Sequence, residues 1–452
     1  MKYLIQTFGC QMNYSDTERV SSLLEDVGFS KAKSEKDADF VIYNSCSVRQ
    51  KAEDKVFGQM KEIKKLKKQN PNLLIGVTGC LVRKSSTRQT EKKDRLLTRS
   101  RVIDLTFRIE DLLNLPELLK EANPNLKIST KEGSLKNYFE INPNYNSKFQ
   151  ALLPIMTGCD NFCAYCIVPY SRGREKSRPF YEVVYEAEKM VESGIKEITL
   201  LGQNVNSYNP DSESIPDDYE KKEPPFVSLL KELDHLKDKG LDRLRFTSSH
   251  PKDMSDELIE VLGSLETLCP YVHLPVQSGD NEVLKNMNRN YTIEHYLGLI
   301  EKIRSKVPNC AISTDIIVGF PGETEKQFQN SAKLFEEVEY DMAYMAQYSP
   351  RKGTYSADKM EDNISTEIKV DRWHKLNDIL TRTSLKKNQE YEGKTVEVLV
   401  EKCKDGILSG RTRSFKEVFF PGSKDEIGKI IKVKIEKAKE WFLEGDLLLN
   451  KL

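Results

Sequence analysis

The chain has 452 residues, more than one hydrophobic core normally serves, so we expect about three domains. It carries 70 Lys and Arg against 70 Asp and Glu, so net charge predicts neither a nucleic-acid nor a membrane partner. The first residues lack a secretory apolar run, and no segment has about 20 consecutive apolar residues. We therefore expect a soluble cytoplasmic protein. Its nine cysteines favour metal sites or buried thiols over disulfides.

Residues 1–122 alternate short β-rich runs with charged helical segments, which predicts an open parallel sheet covered by helices. The predicted strands are 3–8, 40–43, 73–77 and 102–107, and the predicted helices are 16–27, 51–68, 84–98 and 111–121. Residues 123–148 are rich in Asn, Pro, Lys and Ser and poor in apolar periodicity, which indicates a linker.

Residues 149–387 resume the alternation and predict a partial (β/α)6 barrel of the TIM-like kind, whose chemistry sits on the loops after the strands. The predicted strands are 152–156, 197–201, 243–247, 271–276, 311–318 and 342–347. An acidic surface insertion is expected at 206–225 and a long closing helix at 365–390. Residues 388–452 show β-type alternation and predict a small all-β barrel, so the fold class is α/β with a C-terminal β-barrel.

Cys159, Cys163 and Cys166 form a C-x3-C-x2-C set in the loop after the first barrel strand. Three thiolates can ligate three irons of a [4Fe–4S] cluster and leave the fourth iron open for a substrate or cofactor. A structural zinc site is the main alternative, but the loop has no nearby His or fourth Cys to complete a tetrahedron. The spacing therefore favours a cluster with one open iron.

Cys10, Cys46 and Cys80 each follow the C-terminal end of a predicted strand. Because the carboxyl ends of parallel strands meet at one crevice, we expect these thiols to form a second three-cysteine cluster site. The alternative is three separate small buried residues. The remaining cysteines lack partners at ligand spacing and are predicted to be buried thiols: Cys269, Cys310 and Cys403.

Residues 156–166, Met-Thr-Gly-Cys-Asp-Asn-Phe-Cys-Ala-Tyr-Cys, resemble the signature of radical S-adenosylmethionine enzymes, with Tyr165 before the third cysteine. The resemblance implies that S-adenosylmethionine chelates the open iron and that the reduced cluster yields a 5′-deoxyadenosyl radical. With the second cysteine set and the terminal barrel, the chain resembles the methylthiotransferase family end to end. That resemblance implies an N-terminal methylthiotransferase domain, a radical core and a C-terminal TRAM domain at 388–452.

Within that family, Gly-Cys-Gln-Met-Asn at 9–13 resembles the branch that acts on N6-(dimethylallyl)adenosine beside the anticodon of tRNA. Residues 46–56, 169–175 and 274–279 are similarly close. The resemblance implies transfer of a methylthio group to C2 of the adenine, with the second cluster carrying the sulfur and another S-adenosylmethionine supplying the methyl. Two alternatives stay open: a methylthiotransferase for threonylcarbamoyl-adenosine tRNA or a ribosomal protein, and a non-catalytic iron–sulfur electron carrier.

The same resemblance implies roles for further residues. Polar side chains and glycines at the strand ends are expected to bind S-adenosylmethionine: Tyr165, Gln203, Asn204, Gln277, Ser278, Gly279, Thr314 and Asp315. Basic and aromatic residues are expected to contact the anticodon stem-loop of tRNA: Arg172, Arg174, Arg411, Arg413 and Phe420. The expected protein is a monomer that receives electrons from a donor such as flavodoxin or ferredoxin.

Overall fold

The computed structural model describes residues 1–47, 50–128, 138–215 and 223–448. Part of the expected insertion (216–222), part of the expected linker (129–137) and two residues of the 46–56 motif, Val48 and Arg49, lie outside the described residues. The chain forms two compact units. The first comprises Met1–Ser147, Thr157–Asp160 and Cys166–Lys176, and the second comprises Lys148–Met156, Asn161–Tyr165 and Ser177–Leu452. In the described ranges, no helix is both long and apolar enough to cross a membrane.

The first unit contains a six-stranded sheet. From residue 2 to 122 the elements are β1 (Lys2–Phe8), α1 (Gln11–Asp26), β2 (Ser30–Lys31), β3 (Phe40–Ser45), α2 (Gln50–Gln69), β4 (Leu74–Thr78), β5 (Ser86–Thr87), α3 (Arg95–Arg99), β6 (Leu105–Thr106) and α4 (Leu115–Ala122). The strand order is β2-β1-β3-β4-β6-β5, and all pairs are parallel except β5 with β6. The prediction of an open parallel sheet is confirmed. The central strands β3 and β4 are buried along their whole length, as expected for a sheet with apolar packing on both faces.

The structure corrects several local predictions in this unit. The predicted helix at 84–98 is wrong, because only α3 is helical there. Asp94 accepts from the main-chain N–H of Leu96 as the N-cap of α3 and also from those of Arg83 and Lys84, so these two main-chain groups are not available for a helix that begins at residue 84. The predicted strand at 102–107 shrinks to β6, and the predicted helix at 111–121 divides into a 3-10 turn, Ile109–Asn114, and α4.

The first helix begins earlier than predicted, directly after Cys10. The side-chain oxygen of Asn13 accepts from the main-chain N–H of Cys10 at 3.2 Å and stabilises this start. Apolar periodicity does not reveal such a turn, because the contact that stabilises it is made by the polar side chain of Asn13. Cys10 therefore lies at a helix N-terminus.

The described end of the predicted linker packs on the first unit. Tyr138 and Ile141 are buried in its core, and Asn144 donates through its main-chain N–H to the carbonyl of Glu18 at 3.2 Å. Residues 138–146 are therefore an ordered part of this unit, not a free spacer.

Six parallel strands form the core of the second unit. From residue 150 to 389 the chain has the following elements, of which α5 belongs to the first unit: β7 (Gln150–Pro154), β8 (Met156–Thr157), α5 (Val168–Ser171), β9 (Lys176–Ser177), α6 (Phe180–Glu192), β10 (Glu197–Leu201), α7 (Pro225–Asp234), β11 (Arg243–Phe246), α8 (Asp256–Ser264), β12 (Tyr271–His273), α9 (Asn281–Asn286), α10 (Ile293–Lys306), β13 (Ala311–Val318), α11 (Glu325–Val338), β14 (Met342–Gln347), α12 (Tyr355–Lys359) and α13 (Thr366–Gln389). The core strands lie in two parallel sheets, β11-β10-β7 and β12-β13-β14, and a parallel bridge pairs Leu244 with Leu268 between them. The predicted partial (β/α)6 barrel is confirmed, and α13 is the predicted closing helix.

The C-terminal part of the second unit is a closed five-stranded barrel. Its strands are β15 (Thr395–Lys404), β16 (Ile407–Thr412), β17 (Glu417–Pro421), β18 (Ile430–Ala438) and β19 (Leu443–Leu447). They close in the order β15-β16-β17-β19-β18 around an apolar core that includes Val398, Leu408 and Phe420. The predicted small all-β barrel is confirmed.

Two arginines of β11 attach this β-barrel to the (β/α)6 barrel. Arg243 and Arg245 are almost fully buried, and Glu197 of β10 accepts from Arg245 at 2.9 Å. Their remaining N–H groups donate at 2.6–3.1 Å to main-chain oxygens of the C-terminal barrel, those of Glu397, Arg411, Thr412 and Arg413. Because the acceptors are backbone groups, the contact fixes the position of the barrel strands themselves.

We expect Glu197→Ala to destabilise the second unit, because it leaves two neighbouring buried arginines without their carboxylate. Removing one partner of a buried ion pair costs about 3–5 kcal/mol of unfolding free energy. The matched control is Glu336→Ala, whose pair with Arg382 is more than half exposed and is worth about 1 kcal/mol or less. Denaturant unfolding curves of both variants measure the loss of unfolding free energy, and an equal loss in the two variants would contradict this role of Glu197.

Candidate metal centres

Three thiols meet at one edge of the sheet in the first unit. Cys10 lies between β1 and α1, Cys46 directly follows β3, and Cys80 follows β4 by one residue. The hydrogen bond from the Cys46 thiol lowers the pKa of Cys10 to about 6, and the charge of Arg172 acts in the same direction. Burial raises the pKa of Cys80, which also lies close enough to Cys10 to feel its charge. The structure thus brings the three strand-end cysteines together.

Two glycines allow polar side chains to pack beneath these thiols. A Cβ on Gly9 would lie 2.1 Å from Oδ1 of Asn13, and a Cβ on Gly79 would lie 2.4 Å from Oδ1 of Asn44. Gly79 also has φ +85°, which favours glycine. Asn13 donates to Asn44 Oδ1 at 3.0 Å, and Asn44 donates back to the carbonyl of Asn13 at 2.7 Å. The Gly-Cys pairs at 9–10 and 79–80 therefore let the chain approach this asparagine pair closely.

Arg172 is part of this centre. Its Nε donates to Sγ of Cys80 at 3.1 Å, and its Nη2 pairs with Asp16 at 2.5 Å. Asp16 also accepts from the hydroxyl of Tyr138 at 2.8 Å. Arg172 is 6 % exposed, so the expected contact of this residue with RNA is replaced by an ion pair beside a candidate ligand. Arg174, two residues on, has a side chain that is 72 % exposed and pairs with Asp160, so it stays accessible.

The donor set fits an iron–sulfur cluster. It consists of three thiols with one buried cation beside them, and thiolates are the usual ligands of [4Fe–4S] clusters. Within the described ranges, no three His, Cys, Asp or Glu side chains form a group tight enough to hold a single metal ion. Each ligand of a cluster binds a different iron atom, so cluster ligands lie farther apart than the ligands of one ion.

The C-x3-C-x2-C loop is held by main-chain contacts. In the first unit, Cys159 donates through its N–H to the carbonyl of Gly173 at 3.3 Å, and Gly158 has φ +75° where a Cβ would lie 2.1 Å from the carbonyl oxygen of Arg174. In the second unit, Sγ of Cys163 accepts from Nη1 of Arg289 at 3.7 Å. Sequence analysis missed Arg289, because no spacing rule links residues 126 positions apart.

Two side chains after β10 have unsatisfied buried oxygens. Within the described ranges, Oε1 of Gln203 and Oδ1 of Asn204 accept no hydrogen bond. Asn204 Nδ2 donates to Asp253 at 2.7 Å, which fixes the orientation of its amide. Buried carbonyl oxygens normally have a donor, so these two atoms fit the polar groups of a bound cofactor. Tyr165 packs edge to face against Phe320, with ring centroids 6.4 Å apart.

Residues 277–279 are expected from the sequence to bind S-adenosylmethionine, and the structure uses them mainly for main-chain hydrogen bonds and close packing. Gln277 has φ +67°, and its main-chain N–H donates to the carbonyl of Asp315 at 2.9 Å. Ser278 is fully buried, and its hydroxyl accepts from the N–H of Asp280. Gly279 lies where a Cβ would be 2.5 Å from Cα of Ser331, so this glycine serves close packing against α11.

Thr314 and Asp315 face opposite sides of β13, because neighbouring side chains alternate in a strand. The Thr314 hydroxyl donates to the carbonyl of Leu274 and accepts from the N–H of Val276, both at 2.9 Å, and the residue is fully buried. Its side chain is therefore occupied within the sheet. Asp315 is on the other face, with His273 Nε2 at 3.6 Å and a side chain that is 38 % exposed. Of the two, Asp315 remains the candidate for cofactor contact.

The aromatic and basic residues expected to contact RNA in the C-terminal barrel are largely used within the fold. Phe420 is 1 % exposed in the barrel core. Arg413 donates to main-chain carbonyls outside the barrel, those of Asp242, Glu266 and Leu268. Arg411 pairs with Glu401 at 2.9 Å. Several exposed lysines of the C-terminal barrel lie elsewhere, and three of them are on β18: Lys432, Lys434, which pairs with Glu436 at 2.9 Å, and Lys437.

Each of the three regions of the chain matches a known protein family. Residues 2–103 match the Uncharacterized protein family UPF0004, residues 153–335 match the Radical SAM superfamily, and residues 389–448 match the TRAM domain. Two relatives named tRNA-2-methylthio-N(6)-dimethylallyladenosine synthase come from Clostridium botulinum (strain Hall) and Bacillus subtilis (strain 168). The first is 45% identical over 98% of this chain and 96% of its own, and the second is 43% identical over 99% and 86%. The chain belongs to the tRNA-2-methylthio-N(6)-dimethylallyladenosine synthase family.

Solved structures agree with this family at the level of fold. The radical S-adenosylmethionine methyltransferase TsrM from Kitasatospora setae, with tryptophan substrate and a S-adenosylmethionine analogue bound, superposes with a TM-score of 0.53 at 14% identity. The match covers 76% of this chain and 72% of that chain. This match shows the fold alone, and the resemblance to radical methylthiotransferases is confirmed by the curated relatives above.

We expect Arg172→Ala to lower the iron content of the protein, while Arg174→Ala does not. Without Arg172, the buried Asp16 carboxylate faces the Cys80 thiolate uncompensated, and the two negative charges disfavour the ligand form of the thiol. Arg174 is a matched control of the same residue type, two positions away and mostly exposed. Iron and sulfide analysis after anaerobic reconstitution measures the difference, and equal iron in both variants would refute the role of Arg172.

Proposed function

We propose that this protein transfers a methylthio group to C2 of N6-(dimethylallyl)adenosine beside the anticodon of tRNA. The observation that carries the proposal is the meeting of Cys10, Cys46 and Cys80 at one sheet edge in a chain that also has a radical C-x3-C-x2-C loop. A radical enzyme that does not insert sulfur needs only the C-x3-C-x2-C loop and not the three strand-end cysteines. The curated relatives, named for this reaction, match the chain almost from end to end.

Each set of residues has a part in this proposal. Two [4Fe–4S] clusters and S-adenosylmethionine, when bound, supply the radical, the sulfur and the methyl group. The cysteines of the 159–166 loop hold the cluster that binds S-adenosylmethionine, and the three strand-end cysteines hold the other. Gln203, Asn204 and Asp315 orient the cofactor through their side-chain oxygens, and the backbone at 277–279 shapes the loop around it.

Two alternatives have less support. Methylthiotransferases for threonylcarbamoyl-adenosine tRNA or a ribosomal protein share the general architecture, but the relatives above carry the dimethylallyladenosine name. A non-catalytic electron carrier needs neither a partial barrel with unsatisfied cofactor-facing amides nor a TRAM domain. We further propose that the protein acts as a cytoplasmic monomer, that tRNA binds through its anticodon stem-loop, and that electrons come from a flavodoxin or ferredoxin.

We expect Cys46→Ala to abolish the methylthio product but to preserve 5′-deoxyadenosine formation. The reason is that radical generation needs only the 159–166 loop, whereas sulfur insertion needs the strand-end set. The wild type should hold about eight irons, and the variant about four. Cys403→Ala, which removes a thiol from the C-terminal barrel, is the control and should keep both activities.

Nucleoside mass spectrometry of tRNA and quantitation of 5′-deoxyadenosine measure the two outputs. Loss of both outputs in a Cys46→Ala protein that retains four irons would overturn this division of roles. Methylthio product on a threonylcarbamoyl-adenosine tRNA alone would favour the first alternative.

We expect the triple variant Lys432→Gln, Lys434→Gln and Lys437→Gln to bind tRNA more weakly and with a smaller salt dependence. These lysines are exposed on β18, with Glu436 paired to Lys434 among them, and each phosphate contact contributes roughly one unit to the slope of log affinity against log salt. Lys189→Gln, an exposed lysine of α6, is the control. Filter binding over a series of salt concentrations measures both slopes, and an unchanged slope in the triple variant would exclude this face as the anchor.

A further inference from the structure

A short segment after α9 clamps the loop that carries Cys163. The side-chain amide of Asn288 donates to the carbonyls of Asn161 and Phe162 at 3.2 and 3.0 Å. The carbonyl of Met287 accepts from the N–H of Ala164 at 2.9 Å. Residues 161–164 are thus held by backbone contacts on both sides of Cys163, and the next residue of the clamp is Arg289.

Arg289 presents one N–H group to Cys163. Its Nη2 donates to the carbonyl of Pro275 at 2.7 Å and its Nε to the hydroxyl of Tyr291 at 3.1 Å, so the guanidinium orientation is fixed. Its Nη1 is then directed to Sγ of Cys163 at 3.7 Å. The tyrosine hydroxyl is itself held, because it donates to the carbonyl of Val276 at 2.6 Å.

Arg289 is a buried cation that pairs with no carboxylate in the described parts of the chain. The residue is 7 % exposed, and its hydrogen bonds go to a carbonyl, a hydroxyl and the thiol. Burying a charge without an opposite charge is costly, so an anion is expected within reach. Of the three groups that Arg289 contacts, Sγ of Cys163 is the one that loses its proton when it binds a metal. Arg172 differs, because Asp16 already balances it.

We propose that Arg289 is a positioning residue that raises the reduction potential of the iron–sulfur cluster on Cys159, Cys163 and Cys166. Reduction brings one electron from a low-potential one-electron reductant and makes the cluster one unit more negative. A fixed cation at a ligand sulfur lowers the cost of that added charge, because cluster potentials follow net charge and hydrogen bonds to the sulfurs. The proposal rests on the proposed function only for the presence of a cluster at these cysteines.

The test compares three variants in a Cys46→Ala background, in which the signal arises from this cluster alone. Arg289→Met removes the charge, Arg289→Lys keeps a cation in the same place, and Asn288→Ala loosens the clamp without changing charge. Each is titrated with dithionite and the reduced cluster is counted by electron paramagnetic resonance. At the potential where the parent is half reduced, Arg289→Met should show an about tenfold lower ratio of reduced to oxidised cluster, which corresponds to about 59 mV.

The lysine variant should keep most of the parent potential, and Asn288→Ala should keep all of it. A cluster-loaded Arg289→Met with the parent potential overturns the proposal, as does an equal shift in Asn288→Ala, which would identify a loop effect. Because the titration needs no tRNA, a failure of the proposed methylthio transfer leaves its result unaffected, and the potential in turn does not decide the RNA substrate.

A second measurement covers the case in which Arg289→Met does not hold the cluster. A cation that lacks its anion destabilises the empty chain, so the chelator-treated Arg289→Met protein should melt at or above the temperature of the chelator-treated parent. A purely structural arginine predicts the opposite, because its three hydrogen bonds would be lost. A clearly lower melting temperature of the empty variant therefore overturns the proposal.

Discussion

A thiolate that is fully or partly buried requires positive charge nearby, because loss of water favours the neutral thiol. The structure meets this requirement twice with the same chemistry. Arg172 lies 3.1 Å from Sγ of Cys80, and Arg289 lies 3.7 Å from Sγ of Cys163. The two differ in their surroundings, since Asp16 balances only the first. The two guanidinium groups therefore differ in charge balance, because Arg172 pairs with a carboxylate and, within the described residues, Arg289 does not.

Near each cysteine set, the backbone allows separate segments of the chain to approach one another closely. Parallel strand order places the ends of β1, β3 and β4 side by side, so three distant thiols share one edge. Gly79 and Gly158 both adopt φ near +80°, at points where a side chain would collide with polar groups. The close approach is a steric requirement, and it explains why glycine precedes a cysteine in each of these places.

At the C-terminal barrel, arginine can serve two different purposes: attachment of this barrel to the (β/α)6 barrel or the contact with RNA that the sequence predicts. Arg243 and Arg245 hold it through main-chain carbonyls, and Arg413 reaches back in the opposite direction. These guanidinium groups donate hydrogen bonds to main-chain carbonyls, so the groups are not available to bind phosphate. Cations for a polyanionic partner must then come from residues that the fold leaves exposed, and β18 presents lysines on its outer face. A basic residue in the sequence is thus an ambiguous sign of RNA binding until its burial is known.

The sequence by itself determined the order of α/β sheet, partial barrel and β-barrel, because periodicity is a local property. It also indicated the C-x3-C-x2-C set through its spacing, and it indicated the other three cysteines through their positions after predicted strands. It also contained the alternation that places Thr314 and Asp315 on opposite faces, although we expected both to bind the cofactor. Only the tertiary structure revealed the contacts of Arg172 and Arg289 with cysteine sulfurs. Their sulfur contacts span 92 and 126 residues, and pairing over such separations depends on how the chain folds back, which no local pattern encodes.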